Sequence, residues 1–97
     1  MHLQIPHKTT QSEALARVKH GLDEVRPKLS EQKAEIHEER WDGDTLHFDA
    51  TAQGQRINGT LQVTATDFVL DAKLPLMLRL FEGRIEKEIM AKVSELT

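Results

Sequence analysis

At 97 residues the chain has room for one domain with a modest core and not for two. It has no cysteine, which excludes disulfides, thiol catalysis and cysteine-ligated zinc. A formal charge of -3, no long basic run and an aromatic content of 4% argue against nucleic acid as the main partner.

The opening residues, Met1-His2-Leu3-Gln4-Ile5-Pro6, lack the apolar core of a signal peptide. No stretch approaches the ~20 apolar residues of a membrane span, so a cytoplasmic, reduced setting is the expectation. His2 to Ile5 alternates, with Leu3 and Ile5 on one face, and reads as a short strand ended by Pro6. Thr10-Gln11-Ser12-Glu13 fits a capping box. Behind it Leu15, Val18, Leu22, Val25 and Leu29 recur at spacings of 3 and 4, which predicts an amphipathic helix over about residues 11–30. Pro27 removes the bond to the Asp23 carbonyl, so a kink or an irregular last turn is expected there.

A strand meander follows. Asp42-Gly43, within Trp41-Asp42-Gly43-Asp44, signals a type I′ hairpin turn, Gln53-Gly54 a weaker turn, and residues 64–67 a third. The last two turns fix a register. Leu46 faces Leu61, Phe48 faces Gly59, Ala50 faces Ile57, Val63 faces Phe68, Leu61 faces Leu70 and Gly59 faces Ala72. Every apolar residue then falls on one side, and a slip of one residue would expose the set to water. Phe48 is expected to cover the bare backbone of Gly59. The first hairpin is ambiguous. A two-residue loop pairing Trp41 with Asp44 puts Glu35, His37 and Glu39 on the core side and Ile36 outside. A three-residue loop or a bulge puts Ile36 inside.

Thr45, His47, Asp49, Thr51, Arg56, Asn58, Thr60, Gln62, Asp71 and Lys73 occupy the opposite sheet face. That face is polar throughout, so both helices must share the apolar one. The predicted fold class is α+β, a two-layer β-α-β-β-β-β-α sandwich with an antiparallel meander, as one domain over residues 1–97. The first strand could join either sheet edge. Pro75 suits a first helical position. A last helix is predicted from there to about Leu96, with the stripe Leu78, Phe81, Ile85, Ile89, Val93 and Leu96 and an outer face mixing Glu82, Arg84, Glu86, Lys87, Glu88 and Lys92.

Candidate chemistry is sparse. His2, His7, His20, His37 and His47 form no spacing with ligand geometry, so no metal or other cofactor is expected. His47, Asp49 and Asp71 share the polar face around Thr60, but an open solvated face does not tune acids and bases, so no enzyme is expected. Glu35, His37, Glu39 and Trp41, if inward, would line an amphipathic cavity between sheet and helices. Residues 74–81 hold more apolar side chains than one helix face can bury. Leu76, Met77 and Leu80 lie off the stripe and either find cover within the domain or form an outward patch for a partner, a dimer or a lipid-like surface.

Three segments carry a resemblance: Trp41-Asp42-Gly43-Asp44-Thr45-Leu46-His47-Phe48, Ile57-Asn58-Gly59-Thr60-Leu61-Gln62-Val63-Thr64, and Leu74-Pro75-Leu76 followed by Phe81-Glu82-Gly83-Arg84-Ile85-Glu86-Lys87-Glu88-Ile89. In order and spacing the chain resembles the polyhydroxyalkanoic acid system protein family, also called polyhydroxyalkanoate granule-region proteins, over nearly its whole length. The resemblance implies a bacterial, cytoplasmic, granule-associated protein and supplies no catalytic residues. The element order also resembles a reduced helix-grip layout, as in START-type lipid carriers, which is a fold-level analogy only. Two functional expectations follow. One is a non-enzymatic accessory protein of polyester storage, acting through Leu76, Met77 and Leu80 on a granule, a partner or a second copy. The other is a small helix-grip module that takes an acyl or other hydrophobic ligand.

Overall fold

The computed structural model describes residues 1–31 and 33–94. The elements are β1 (His2–Pro6), α1 (Gln11–Glu31), β2 (Ala34–Asp42), β3 (Thr45–Ala52), β4 (Gln55–Val63), β5 (Asp67–Lys73), α2 (Leu76–Arg79) and α3 (Glu82–Ser94). The fold is α+β. A five-stranded antiparallel sheet in the order β1-β5-β4-β3-β2 carries the helices on its apolar face.

The register of β3, β4 and β5 is the predicted one. Leu46 pairs with Leu61, Phe48 with Gly59, Ala50 with Ile57, Val63 with Phe68, Leu61 with Leu70 and Gly59 with Ala72. Gln53 and Gly54 both have positive φ, the pattern of a type I′ turn. At the third turn the Thr64 amide donates to the Asp67 carbonyl at 2.8 Å, and the Asp67 amide returns a bond of 2.8 Å to Thr64 Oγ1. The first strand joins β5, with Leu3 opposite Leu70 and Ile5 opposite Phe68, so its two apolar residues face inward.

The first hairpin departs from expectation. Asp42 pairs with Thr45, so the loop is Gly43-Asp44 rather than Asp42-Gly43. Only Gly43 has positive φ there, which is the type II′ pattern with glycine at the first loop position. Both readings of β2 are then half right, because the irregularity lies inside the strand. Trp41 pairs with Leu46 and Glu39 with Phe48, on the inward side. A bulge between Ile36 and Glu38 resets the alternation, and Ile36 pairs with Ala50 on the same side. Glu35 and His37 therefore leave the core side.

The Glu13 amide donates to Thr10 Oγ1 at 3.2 Å, and Gln11 Nε2 donates to Asp44 Oδ2 and to the Val63 carbonyl. These bonds tie the start of α1 to two strand turns. The helix runs through Pro27 to Glu31. The core is small: Ala14, Val18, Val63 and Phe68 at the centre, with Leu15, Leu22, Trp41, Leu61 and Val93 packed around it. Burying side chains such as Val63 and Phe68 stabilises the fold by roughly 1.5–3 kcal/mol each.

The predicted single last helix is two pieces. After one turn, the Phe81 amide bonds the Leu78 carbonyl at 3.0 Å, an i→i−3 contact, and regular helix resumes when the Ile85 amide bonds the Phe81 carbonyl at 2.9 Å. Gly83 weakens helix propensity just past this tight turn, and no residue of α2 is buried to hold it straight. Glu82 pairs with the Met1 ammonium at 3.3 Å, which ties the start of α3 to the sheet. Leu96, placed at the end of the stripe, lies outside the described residues.

Candidate functional site

Two features stand apart from ordinary packing. The first is a cleft of about 390 Å³ where the last turns of α1 meet the edge strand β2. Arg26, Leu29 and Ser30 come from the helix, and Ala34, Glu35, Ile36, His37 and Glu39 from the strand. Arg26 carries ion pairs at this cleft. One guanidinium nitrogen bonds Glu39 Oε2 and the other bonds Asp23 Oδ1. The hydrogen bond it donates to Glu39 is the main reason the guanidinium holds its proton even more tightly than usual, against an opposing effect of burial. Glu39 points inward, and its other oxygen, Oε1, is buried with no partner among the described residues.

Glu35, His37 and Glu39 thus come together around the cleft, though only Glu39 faces the core. His37 bonds Thr51 Oγ1 on the polar sheet face and lies 3.9 Å from Glu35. Trp41 is elsewhere: it packs against the core, with Lys19 Nζ 5.1 Å from the centre of its ring. Sequence reasoning did not single out Arg26. Its signal is positional, one residue after Val25 and three before Leu29, at the border of the apolar stripe of α1.

The polar sheet face carries the other histidine and acid candidates. His47 lies opposite Thr60, and Thr60 opposite Asp71. Asp71 is engaged by His2 at 2.5 Å, and Asp49 by Arg56, whose Nε lies 3.0 and 3.2 Å from its two oxygens. The Arg56 hydrogen bonds hold the Asp49 carboxyl below the ordinary carboxylate range. His20 pairs with Glu24 along the exposed face of α1. His7 is the buried one. Its Nε2 meets the Thr64 carbonyl at 2.9 Å, and its ring tilts against Phe68. Among the described residues no group of three or more histidine or acidic side chains is disposed to hold a metal ion.

The second feature is α2 and the turn after it. Leu76, Met77, Leu80 and Phe81 are 78%, 66%, 83% and 55% exposed. Leu76, Met77 and Leu80, off the predicted stripe, are exposed. Phe81 joins them, against the expectation that it opens the buried stripe. The tight turn between Leu78 and Phe81 ends the helical phase that would have carried Phe81 inward. Leu74, just after β5, is buried, and Leu78 is half-buried.

The charges of α3 are sorted rather than mixed. Glu82 and Glu86 lie on its half-buried side with Ile85, Ile89 and Val93. Arg84, Lys87 and Lys92 are exposed, with Glu88 as the acidic exception.

These elements define a two-layer α+β domain with one wet sheet face and an exposed apolar turn beside its helices. The chain belongs to the polyhydroxyalkanoic acid system protein family: the family model, described as "Putative polyhydroxyalkanoic acid system protein", matches residues 1–96. No curated protein and no solved structure matches the chain. No helix among the described residues is long and apolar enough to cross a membrane.

Proposed function

We propose that this chain is a non-enzymatic, cytoplasmic accessory protein of bacterial polyester storage that attaches to the storage granule through Leu76, Met77, Leu80 and Phe81. The observation that carries the reading is the exposure of these four side chains within six consecutive positions. Apolar groups clustered in this way, rather than scattered singly, mark a surface meant to be covered. Membership of the storage-system family supplies the setting. The polar sheet face supports the non-enzymatic part, since Asp71 and Asp49 are each already engaged, by His2 and by Arg56, and not poised for acid–base work.

The test is a triple substitution, Leu76→Ser with Met77→Ser and Leu80→Ser, followed by fractionation of cells that store polyester. The wild-type chain is expected with the granules and the variant in the soluble fraction, with equal circular dichroism. Equal granule association of the two would remove the reading.

A second reading is a small hydrophobic or acyl ligand held between sheet and helices. It draws support from Leu29, Ala34 and Ile36 beside Arg26 in the cleft, an apolar floor next to a cation. Trp41 is the one tryptophan and packs on the same layer, so its emission reports the test. Titration with a medium-chain fatty acid should shift that emission to saturation. A flat titration would count against this reading.

A further inference from the structure

We infer that the surface entered by the α2 turn is a layer of anionic lipid head groups. This rests on the granule reading above and names the chemistry its apolar turn meets. Three observations carry it.

First, the patch is small. Four exposed apolar side chains, Leu76, Met77, Leu80 and Phe81, lie within six consecutive positions. A lipid layer sets no minimum size, because each added apolar side chain contributes to partitioning independently.

Second, the side chains protrude. Leu76 and Leu80 have about four-fifths of their surface clear of the protein. Such a knuckle needs either a deep complementary pocket or a surface that deforms around it, and acyl chains beneath head groups do the latter.

Third, the exposed charges of α2 and α3 have one dominant sign. Arg79 lies within the patch, and Arg84 and Lys87 follow on the exposed side of α3, with Lys92 beyond. Glu88 pairs with Arg84, while Glu82 and Glu86 are on the half-buried side and Glu82 is held by the Met1 ammonium. With Arg84 offset by Glu88, Arg79, Lys87 and Lys92 give these two helices an excess of exposed cations in a chain whose formal charge is -3. A neutral polyester surface or an apolar protein groove would gain nothing from the sorting. Head-group phosphates would, and basic residues beside an inserted apolar turn are the usual composition of an interfacial helix.

The experiment is co-sedimentation of the full chain with vesicles of phosphatidylglycerol mixed with phosphatidylcholine, against vesicles of phosphatidylcholine alone, at low and high salt. Binding to the anionic vesicles, weakened by salt and absent from the neutral ones, is the expected result. Leu76→Ser/Met77→Ser/Leu80→Ser should abolish it. Arg79→Gln/Lys87→Gln leaves every apolar side chain in place and should weaken it by on the order of five-fold per cation removed.

Equal binding to both vesicle types would overturn the inference, and so would a charge variant that binds as wild type. If neither vesicle is bound while the triple substitution still releases the chain from granules, the lipid inference falls and the granule reading stands. If light scattering shows a dimer that the triple substitution dissociates, a second copy covers the turn and the lipid inference is overturned.

Discussion

A methyl group on Gly59 would stand 2.1 Å from the Asp71 carbonyl oxygen and 2.7 Å from the Ala72 Cα. Gly59 and Ala72 are cross-strand partners, so β4 and β5 meet here at a separation that no side chain allows. The obstacle is backbone, which cannot rotate aside. Gly59→Ala is therefore expected to destabilise the fold by about 1–3 kcal/mol, or more if the β4–β5 ladder opens. Urea unfolding followed by circular dichroism measures it. A midpoint equal to wild type would mean that the strands can part at no cost.

Arg26 and Glu39 are unequal partners. Arg26 has a second acceptor in Asp23, whereas Glu39 points inward and has a buried oxygen with no partner among the described residues. Removing the cation leaves a carboxylate stranded on the core side, and removing the carboxylate strands nothing. Arg26→Ala should lower the thermal midpoint. Glu39→Leu should preserve or raise it, and the double variant should recover what Arg26→Ala loses. Thermal melts of the three variants give the comparison. A loss from Glu39→Leu as large as that from Arg26→Ala would contradict this asymmetry.

Much of the frame could be read before the structure, and the reason is physical. Leu46, Phe48, Ile57, Leu61, Val63, Phe68 and Leu70 alternate so strictly that one register alone buries them, and that register is present. The edge strand was harder. A bulge at residues 36–38 reverses the alternation within one strand, and period-two reasoning has no means of locating such a reset. The apolar turn was legible in excess but not in extent. Residues 74–81 hold too many apolar groups for one face, yet the spacing that Ile85, Ile89 and Val93 continue points Phe81 inward. The tight turn at Leu78–Phe81 shifts the phase, and only Gly83 hinted at it. Arg26 and His7 were missed as individuals because their roles depend on partners distant in sequence, Glu39 and the Thr64 carbonyl.

Asp49 gives the fold a specific acid sensitivity. Its hydrogen bonds from Arg56 hold the carboxyl below the ordinary range in the folded state. A folded value below the unfolded one means that the contribution is complete above the unfolded value, ~3.9 for an aspartate, and disappears as pH falls through the folded value. Asp49→Asn should thus be less stable than wild type at neutral pH. Its stability should also fall less steeply on the acid limb, so that the two curves converge at low pH. Denaturant midpoints taken from neutral to strongly acidic buffer test this, and parallel curves would show that the pair contributes nothing.

His7 holds the β1–α1 connection onto the β4–β5 turn. Its ring is buried against Phe68, Nε2 donates to the Thr64 carbonyl at 2.9 Å, and its backbone amide donates to Thr66. His7→Ala removes the side-chain bond and leaves a cavity beside Phe68, at a cost of about 2–4 kcal/mol. For a chain of this size that is a fall of roughly 10–20 °C in thermal midpoint. His7→Gln, which can keep a donor toward the carbonyl, should recover part of it. If His7→Gln is no better than His7→Ala, ring packing rather than the hydrogen bond accounts for the loss.

The apolar turn and the strand end that precedes it should separate cleanly by stability. Leu74 is buried to within a few per cent of its surface, and truncation to Ala removes core contacts worth about 2–4 kcal/mol. Leu76, Met77 and Leu80 touch little of the domain, so their joint replacement by Ser removes almost no burial. Some helix propensity is lost in α2, about 0.5 kcal/mol per residue at most for Leu or Met to Ser. The triple variant should then unfold near the wild-type denaturant concentration with an unchanged slope, while Leu74→Ala unfolds well before it. It should also be the more soluble, since an exposed apolar cluster favours association. A large stability loss in the triple variant would mean that these side chains pack against the domain in solution, and an interaction role for the turn would lose its basis.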